Sequence, residues 1–600
     1  MKHFLIIFFL IAGFAATLSA QDVNTQKFQL AQSYEAAGNF EDAARLYKEL
    51  YDAKPNNNEY FSGVVRTYNA MNKFSELLPM AENYKTNNPS PDAYSLYAEL
   101  LWKTGKTNEA DREWERAIEL NPGNAKTYLK VFESQSGLML FDKAIATLKE
   151  GRDNLGKPEK FANELSQLYI ATGNYQAGTD EALNLLRNQN NLAVVQGRLY
   201  ALMANPEAEK YVGSRLNDFA SNNSNNILAQ LLYAWYATTT GNYDRALEAY
   251  INIDRLQNSR GREVIQFANR SRADGHYRIA LRAYEWVIDS KDARNYLSSA
   301  LYGYARTLEK KMSDNDRMKP EEVNNIIARY RDIIEKFPDN ANSAECRYRI
   351  ATLALEQLED PNTAIKELRQ LIETQPNFPI SAEATNLLGE IYMIKDDFES
   401  ARKIFENIID SKSRYQPDVV ELAMYNMAQL HFYNSRIDSA KKYYTMLAGR
   451  SESDESNNSL LKLFLINQNT EHNDALRKYG QGELASLRNN YAEAAEIFSE
   501  AAKSAPGTSL GQRSLIEAGL AHIKAGNYKS AIASADTLKS QYPESLYGDY
   551  ALMIKGDAQL ASGMKDAAIE TWKKLLLDYP SSIYLDQARE KIRSHRDRES

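Results

Sequence analysis

A single cysteine, Cys346, stands in a chain of 600 residues, so no disulfide can form within it. Its setting, AECRYRIATLAL, offers no resolving thiol, and Cys346 reads as a small helix-packing residue rather than a redox centre. Histidine is scarce as well: His3, His276, His431, His472, His522 and His595. One cysteine and scattered histidines cannot supply the four ligands of a zinc site, so no metal is expected. No glycine loop precedes a Lys-Ser/Thr pair, which excludes a Walker-type phosphate cradle. No other cofactor motif is present. Carboxylates are plentiful, but paired-carboxylate chemistry needs a cleft as well as two acids. The net charge of −8 argues against nucleic acid as a partner. The basic end, REKIRSHRDRES, interleaves Arg589, Lys591, Arg593, Arg596 and Arg598 with acids and reads as the solvated end of a last helix.

Long apolar runs are lacking everywhere except at the start. Lys2 precedes FLIIFFLIAGFAATL, which closes on LSA before Gln21. A basic start, an apolar centre and a small-residue end describe a secretory signal peptide over 1–20, with cleavage expected after Ala20. An uncleaved membrane anchor is the other reading, because roughly 18 apolar residues can span a bilayer. Gln21, where a lipoprotein would carry its lipid-bearing cysteine, argues against lipid anchoring.

What the chain does have is a beat. Gly38, Gly105, Gly173, Gly241 and Gly275 are spaced by 67, 68, 68 and 34 residues, one or two multiples of a unit of roughly 34. Seven residues before each stands a small side chain: Ala31, Ala98, Ser166, Ala234 and Ala268. Five residues after each stands another: Ala43, Ala110, Gly178, Ala246 and Ala280. Two helices touching at about 8–10 Å admit only such residues at their crossing, and the glycine between them ends the first helix in a left-handed turn. Phe40, Tyr175, Tyr243 and Tyr277 follow the turn, and Tyr47, Trp114, Tyr250 and Tyr284 come a turn or two later. His431 and His522 each fall three residues after a small contact residue (Ala428, Gly519), where other repeats carry Tyr34 or Tyr169. They are expected to replace an aromatic in packing, having no Cys, Ser or carboxylate constellation beside them.

Beyond about residue 296 the unit lengthens: Pro338 and Pro376 lie 38 apart, and Pro506, Pro543 and Pro580 lie 37 apart. The same code persists in Gly519, Gly526 and Ala531, and in Gly556, Gly563 and Ala568. Further units lack the turn glycine but keep the frame, as in Gly389, Phe398, Ala401 and Phe405. The organisation expected is a signal peptide over 1–20, an array of shorter repeats over 21–295 and an array of longer ones over 296–600. Three stretches break the period: Lys310 to Pro320, Ser411 to Pro417, and an irregular segment over 450–478. The last opens with SESDESNNS, expected to be an exposed loop, and continues into LLKLFLINQN. That run is too short to span a membrane and is expected to pack as an extra helix or to offer a partner-binding patch. No break is long enough to fold as a domain of its own.

These residues resemble the tetratricopeptide repeat (TPR) superfamily. The clearest stretches are LAQSYEAAGNFEDAARLYKELYDAKP and YAELLWKTGKTNEADREWERAIELNP, where Tyr97, Ala98, Gly105, Ala110, Trp114, Ala117 and Pro122 follow the family pattern. The resemblance implies an all-α TPR superhelical solenoid of roughly 12–14 helix-turn-helix repeats. The longer units, from Val323 to Arg593, resemble the envelope subgroup that includes the TPR lipoprotein of the β-barrel assembly machinery and the periplasmic coordinator of the Tol system, except that the lipid-bearing cysteine is missing. It further implies protein partners or extended peptides held on a concave face, by residues the sequence does not identify. No Lys and Asn arrangement matches the carboxylate-gripping TPRs of cytosolic co-chaperones. The expectation is a non-enzymatic, exported scaffold or adaptor in the periplasm of a Gram-negative bacterium, touching the membrane only through partners. A peptidoglycan-cleaving enzyme and a holdase for outer-membrane clients are the alternatives.

Overall fold

The hairpin code translates directly into backbone geometry in a computed structural model, which describes residues 23–313, 318–450 and 452–596. The expected signal segment over 1–20 lies outside the described residues. Within them there are 32 α-helices, two short 3-10 helices and no strand. The helices pair as hairpins with two exceptions, Asp454–Gln468 and the terminal Leu585–Arg596. The fold is an all-α TPR solenoid.

Most of the hairpins turn on one left-handed residue; the turn between Leu192–Leu202 and Pro206–Asn222 does without one. Gly38, Gly105, Gly173, Gly241, Gly275, Gly526 and Gly563 have φ between +71° and +86°. Where the sequence lacks the glycine, another residue often takes the same conformation: Asn72, Met139, Glu359, Asp396, Ser435 and Asn489, with φ from 54° to 64°. The turn geometry is therefore imposed by the helix pairing, and glycine only lowers its cost. Asparagine follows several of these glycines because its side chain caps the second helix. Asn39 accepts from the Asp42 N–H, Asn174 from that of Ala177 and Asn242 from that of Arg245.

At the crossings, Ala31, Ala43, Ala98, Ala110, Ala246, Ala268, Ala280, Ala401, Ala531 and Ala568 are fully buried, and Ala234 nearly so. Helical glycines do more than leave room; they seat aromatic rings. A Cβ on Gly389 would lie 2.5 Å from the Phe405 ring, and one on Gly556 would lie 2.2 Å from Trp572 Nε1. Gly482 stands in the same way to Phe498, all three pairs being within one hairpin. In Tyr47 with Gly63 and Tyr284 with Gly303 the ring sits instead on the next hairpin. Gly519 meets Ile554 rather than an aromatic. Burial is serial: apolar clusters over 31–169 and 162–253, and others over 305–353, 344–447, 428–521, 516–554 and 552–588, each built from successive helices. This is a core divided among nearest neighbours.

The described residues fall into two compact units that divide at Ser259 and Arg260. The prolines that mark the longer spacing, from Pro338 onward, all lie inside the second unit.

The breaks in the period have distinct causes. Pro320 and Pro417 each occupy the first turn of a helix, and the short 3-10 helix Lys412–Arg414 fills the second break. Within the segment expected as a loop, SESDESNNS, a helix starts instead at Asp454. Ser453 Oγ accepts from the Ser456 N–H as N-cap, and Asp454 and Glu455 occupy the first turn, where the helix dipole favours them. The helix Asp454–Gln468 is therefore additional to the hairpins, and Asn473–Leu487 with Tyr491–Ser504 resumes the pairing.

Candidate functional site

Polar and aromatic side chains concentrate along the first helices of successive hairpins in the second unit, around the inserted helix. In Pro417–Tyr433, Asn426 Nδ2 donates to Glu390 Oε1 of Ile380–Ile394 at 2.7 Å, and Gln429 Nε2 donates to the Tyr433 hydroxyl at 3.0 Å. The Tyr444 hydroxyl donates to Gln429 Oε1. Burial raises the Glu390 carboxyl above its usual range, against the Asn426 bond, which lowers it. Burial also raises Glu517, although Arg513 beside it, donating at 3.0 Å, opposes the shift. The Tyr433, Tyr444 and Tyr479 hydroxyls are pushed well above 10, again chiefly by burial.

The inserted helix is held across this region. Ser453 Oγ donates to Glu421 at 2.8 Å and Ser456 Oγ to the Leu447 carbonyl at 3.1 Å; at the far end, Asn469 Nδ2 donates to Ser509 Oγ at 3.2 Å. At mid-helix Lys462 pairs with Glu483 of Asn473–Leu487. Its ammonium lies 4.9 Å from the Phe432 ring centre and 5.4 Å from that of Tyr479, within cation–π range. One face of this helix packs Ile466, with Leu463 and Leu465 beside it, into the core, and the opposite face is also apolar. The helix buries Ser456 and Ser459 and turns Lys462 inward, while Leu460, Leu461 and Phe464 are 48%, 67% and 60% exposed. Three large apolar side chains clustered on one exposed helix face mark an interaction surface more than a scattered exposed leucine does. Just beyond it, Arg488 pairs with Asp396, a turn residue two hairpins back, and so bypasses the intervening hairpin.

In the first unit a groove of about 390 Å³ runs between Asn58–Ala70 and Pro91–Lys103. Phe61, Val65, Leu96 and Tyr84 line it, with Phe61 and Tyr84 stacked at 3.9 Å. The charges at its edges are already engaged. Arg66 donates twice to Glu35, at 2.6 and 2.9 Å, and Asp92 pairs with Lys130 at 3.3 Å. The Arg66 hydrogen bond holds the Glu35 carboxyl below its usual range.

The sequence marked the apolar run that supplies Leu460, Leu461 and Phe464, but not the face those residues occupy, because helical period alone does not say which side meets a neighbour. It missed the groove altogether. Phe61 and Val65 fall in a weak repeat without a turn glycine, and their i, i+4 spacing was the available signal; Leu96 comes from the next hairpin, which turns on Gly105. Cys346 is fully buried, and burial raises its thiol far from the thiolate, as an inert packing residue requires. His431 stacks on Tyr443 at 5.7 Å and His522 is buried; burial lowers both imidazoles toward the neutral form. Among the described residues no cluster of His, Cys, Asp and Glu could hold a metal ion, and no helix is long and apolar enough to cross a membrane.

Comparison with known proteins agrees with the repeat. Residues 28–63 and 348–415, and residues 91–124, match tetratricopeptide repeat models. Residues 471–598 match the YfiO family, described as outer membrane lipoprotein. No curated protein matches. Among solved structures, the chain is similar to yeast Tom70 at 12% identity and a TM-score of 0.26, over 96% of this chain and 95% of that one. It is also similar to a tetratricopeptide repeat protein from Parabacteroides merdae ATCC 43184 at 13% identity and a TM-score of 0.25, over 56% of this chain and 100% of that one. The chain thus carries tetratricopeptide repeats, and its C-terminal region is similar to the YfiO outer membrane lipoproteins.

Proposed function

We propose that this protein is an exported scaffold that docks protein partners in the bacterial cell envelope, on the periplasmic side of the outer membrane. The observation that carries the reading is the inserted helix Asp454–Gln468, which presents Leu460, Leu461 and Phe464 to solvent immediately before the YfiO-like segment 471–598. Ile466 already anchors this helix in the core, so the further apolar face of Leu460, Leu461 and Phe464 contributes to stability only when a partner covers it. The apolar groove of the first unit adds a second docking place, and linked sites raise affinity without a deep pocket. TPR scaffolds are typically non-catalytic. The N-terminal apolar segment supports export, and Gln21 after the expected cleavage point supports attachment through partners rather than through lipid.

The test is photo-crosslinking in the native host from residues placed at Leu461 and Phe464, with Glu115, an exposed residue of Thr107–Glu119, as control. Discrete adducts with envelope proteins are expected from the first two and not from the third. Adducts that are absent, or the same from all three positions, overturn the reading.

A further inference from the structure

A second kind of site lies in the first unit, away from the groove and from the first-helix side of the hairpins. A cavity of about 340 Å³ opens between Pro206–Asn222, the second helix of one hairpin, and the turn of the next, where Ile227–Thr239 gives way to Tyr243–Leu256. That volume is at the lower end of the range in which proteins hold small ligands. Its lining is almost entirely polar, and both of its charged side chains, Lys210 and Arg245, are cationic.

Neither cation has a carboxylate within ion-pair distance among the described residues, whereas the neighbouring Arg215 is paired with Asp180 at 2.6 Å. Arg245 is nonetheless held in place. Its Nη1 donates to the Tyr233 hydroxyl at 3.3 Å, and that hydroxyl donates to Asn217 Oδ1 at 3.1 Å, which leaves the Asn217 amide N–H groups available to the cavity. Tyr236 brings its hydroxyl to the wall only because residue 213 is glycine: a Cβ there would lie 2.0 Å from the hydroxyl oxygen. Burial raises the Tyr236 hydroxyl, Glu209 raises it further and Arg245 opposes them, so both charges act on this wall.

Two unpaired cations, one of them a guanidinium held in place, and neutral donors make a site for an anionic oxygen group, where charge-assisted hydrogen bonds are the strong ones. Glu209 close by, in a chain whose net charge is −8, favours a singly charged carboxylate over a doubly charged phosphate. We propose that this cavity receives an acidic side chain from a protein partner, with Lys210 and Arg245 binding the carboxylate and Asn217 and Tyr236 donating to it. The assignment rests on the scaffold reading for the source of the carboxylate, and on the cavity alone for its chemistry.

The test uses the mature chain and a blocked acidic tripeptide, acetyl-Asp-Glu-Asp-amide, followed by calorimetry at low salt beside its Asn-Gln-Asn counterpart and inorganic phosphate. Saturable binding of the acidic peptide is expected, at least tenfold tighter than the neutral one, and at least tenfold weaker in the Lys210→Gln/Arg245→Gln double variant with unchanged Tm. Equal affinity for the two peptides, or for wild type and variant, overturns the proposal. Phosphate bound as tightly as the acidic peptide overturns the carboxylate assignment. Peptide binding in this pattern without any crosslinked partner leaves the site standing and removes the scaffold; captured partners with peptide binding indifferent to the double variant do the reverse.

Discussion

The glycines of this chain do two separate jobs, and substitution distinguishes them. At a turn such as Gly38, nothing lies within 4 Å of an added Cβ and the constraint is the backbone, with φ at 77°. At Gly389 the backbone is helical and the constraint is the Phe405 ring. Gly389→Ala should gain about 1 kcal/mol in helix propensity and lose more than that in overpacking, for a net destabilisation of about 1–2 kcal/mol. Denaturant unfolding measures it, and Phe405→Leu in the same chain should recover most of the loss if the ring is the cause. His522 is a second residue whose packing has a measurable consequence. Its imidazole is lowered by burial, with Glu496 opposing, so the folded state resists protonation. Above the unfolded value near 6.5 the residue is neutral in both states and costs nothing. As pH falls below that value the unfolded chain takes the proton first, and stability declines. Tm should therefore fall between pH 7.5 and 5.5, and His522→Phe should flatten part of that slope; an unchanged slope would place the acid sensitivity elsewhere.

Among the elements, the inserted helix is the one whose energetics differ from the rest. Hairpin helices are held by small-residue crossings and aromatic seats, whereas Asp454–Gln468 is fastened by Ile466 in the core, by end hydrogen bonds and by Lys462 on Glu483. Lys462→Met keeps the aliphatic stem between Phe432 and Tyr479 but leaves Glu483, whose side chain is only 20% exposed, without its cation. Loss of about 1–3 kcal/mol is expected, because an uncompensated carboxylate in a poorly solvated place is costly. Adding Glu483→Gln should restore a large part of it. If the two changes instead add independently, the pair does not anchor the helix.

Across the whole molecule, serial burial makes stability a sum of neighbouring terms. Ala246→Trp should overpack one hairpin and cost about 1–3 kcal/mol. Hydrogen exchange should then accelerate over Ile227–Leu256 and the adjoining helices, while Tyr528–Asp578 keeps its protection. Exposed Glu115→Trp should change stability by under about 0.5 kcal/mol. Global loss of protection after Ala246→Trp would show a single cooperative core instead.

The hairpin frame was legible in the sequence because it is a one-dimensional code. Gly at a left-handed turn, small residues seven before and five after it, and an aromatic beyond them recur at a fixed spacing, and each follows from helix geometry within some 30 residues. The same reasoning failed at SESDESNNS, where a Ser cap followed by two acids started a helix rather than a loop. Neither docking place could be read in the same way. The exposed face of Leu460, Leu461 and Phe464 lies outward because Ile466 and Lys462 found their partners on the other side, and the unpaired Lys210 and Arg245 meet only because one hairpin stacks on the next. Sequence determined the repeating unit, whose contacts are local; tertiary structure decided the surfaces, since exposure and charge pairing depend on neighbours that the period does not specify.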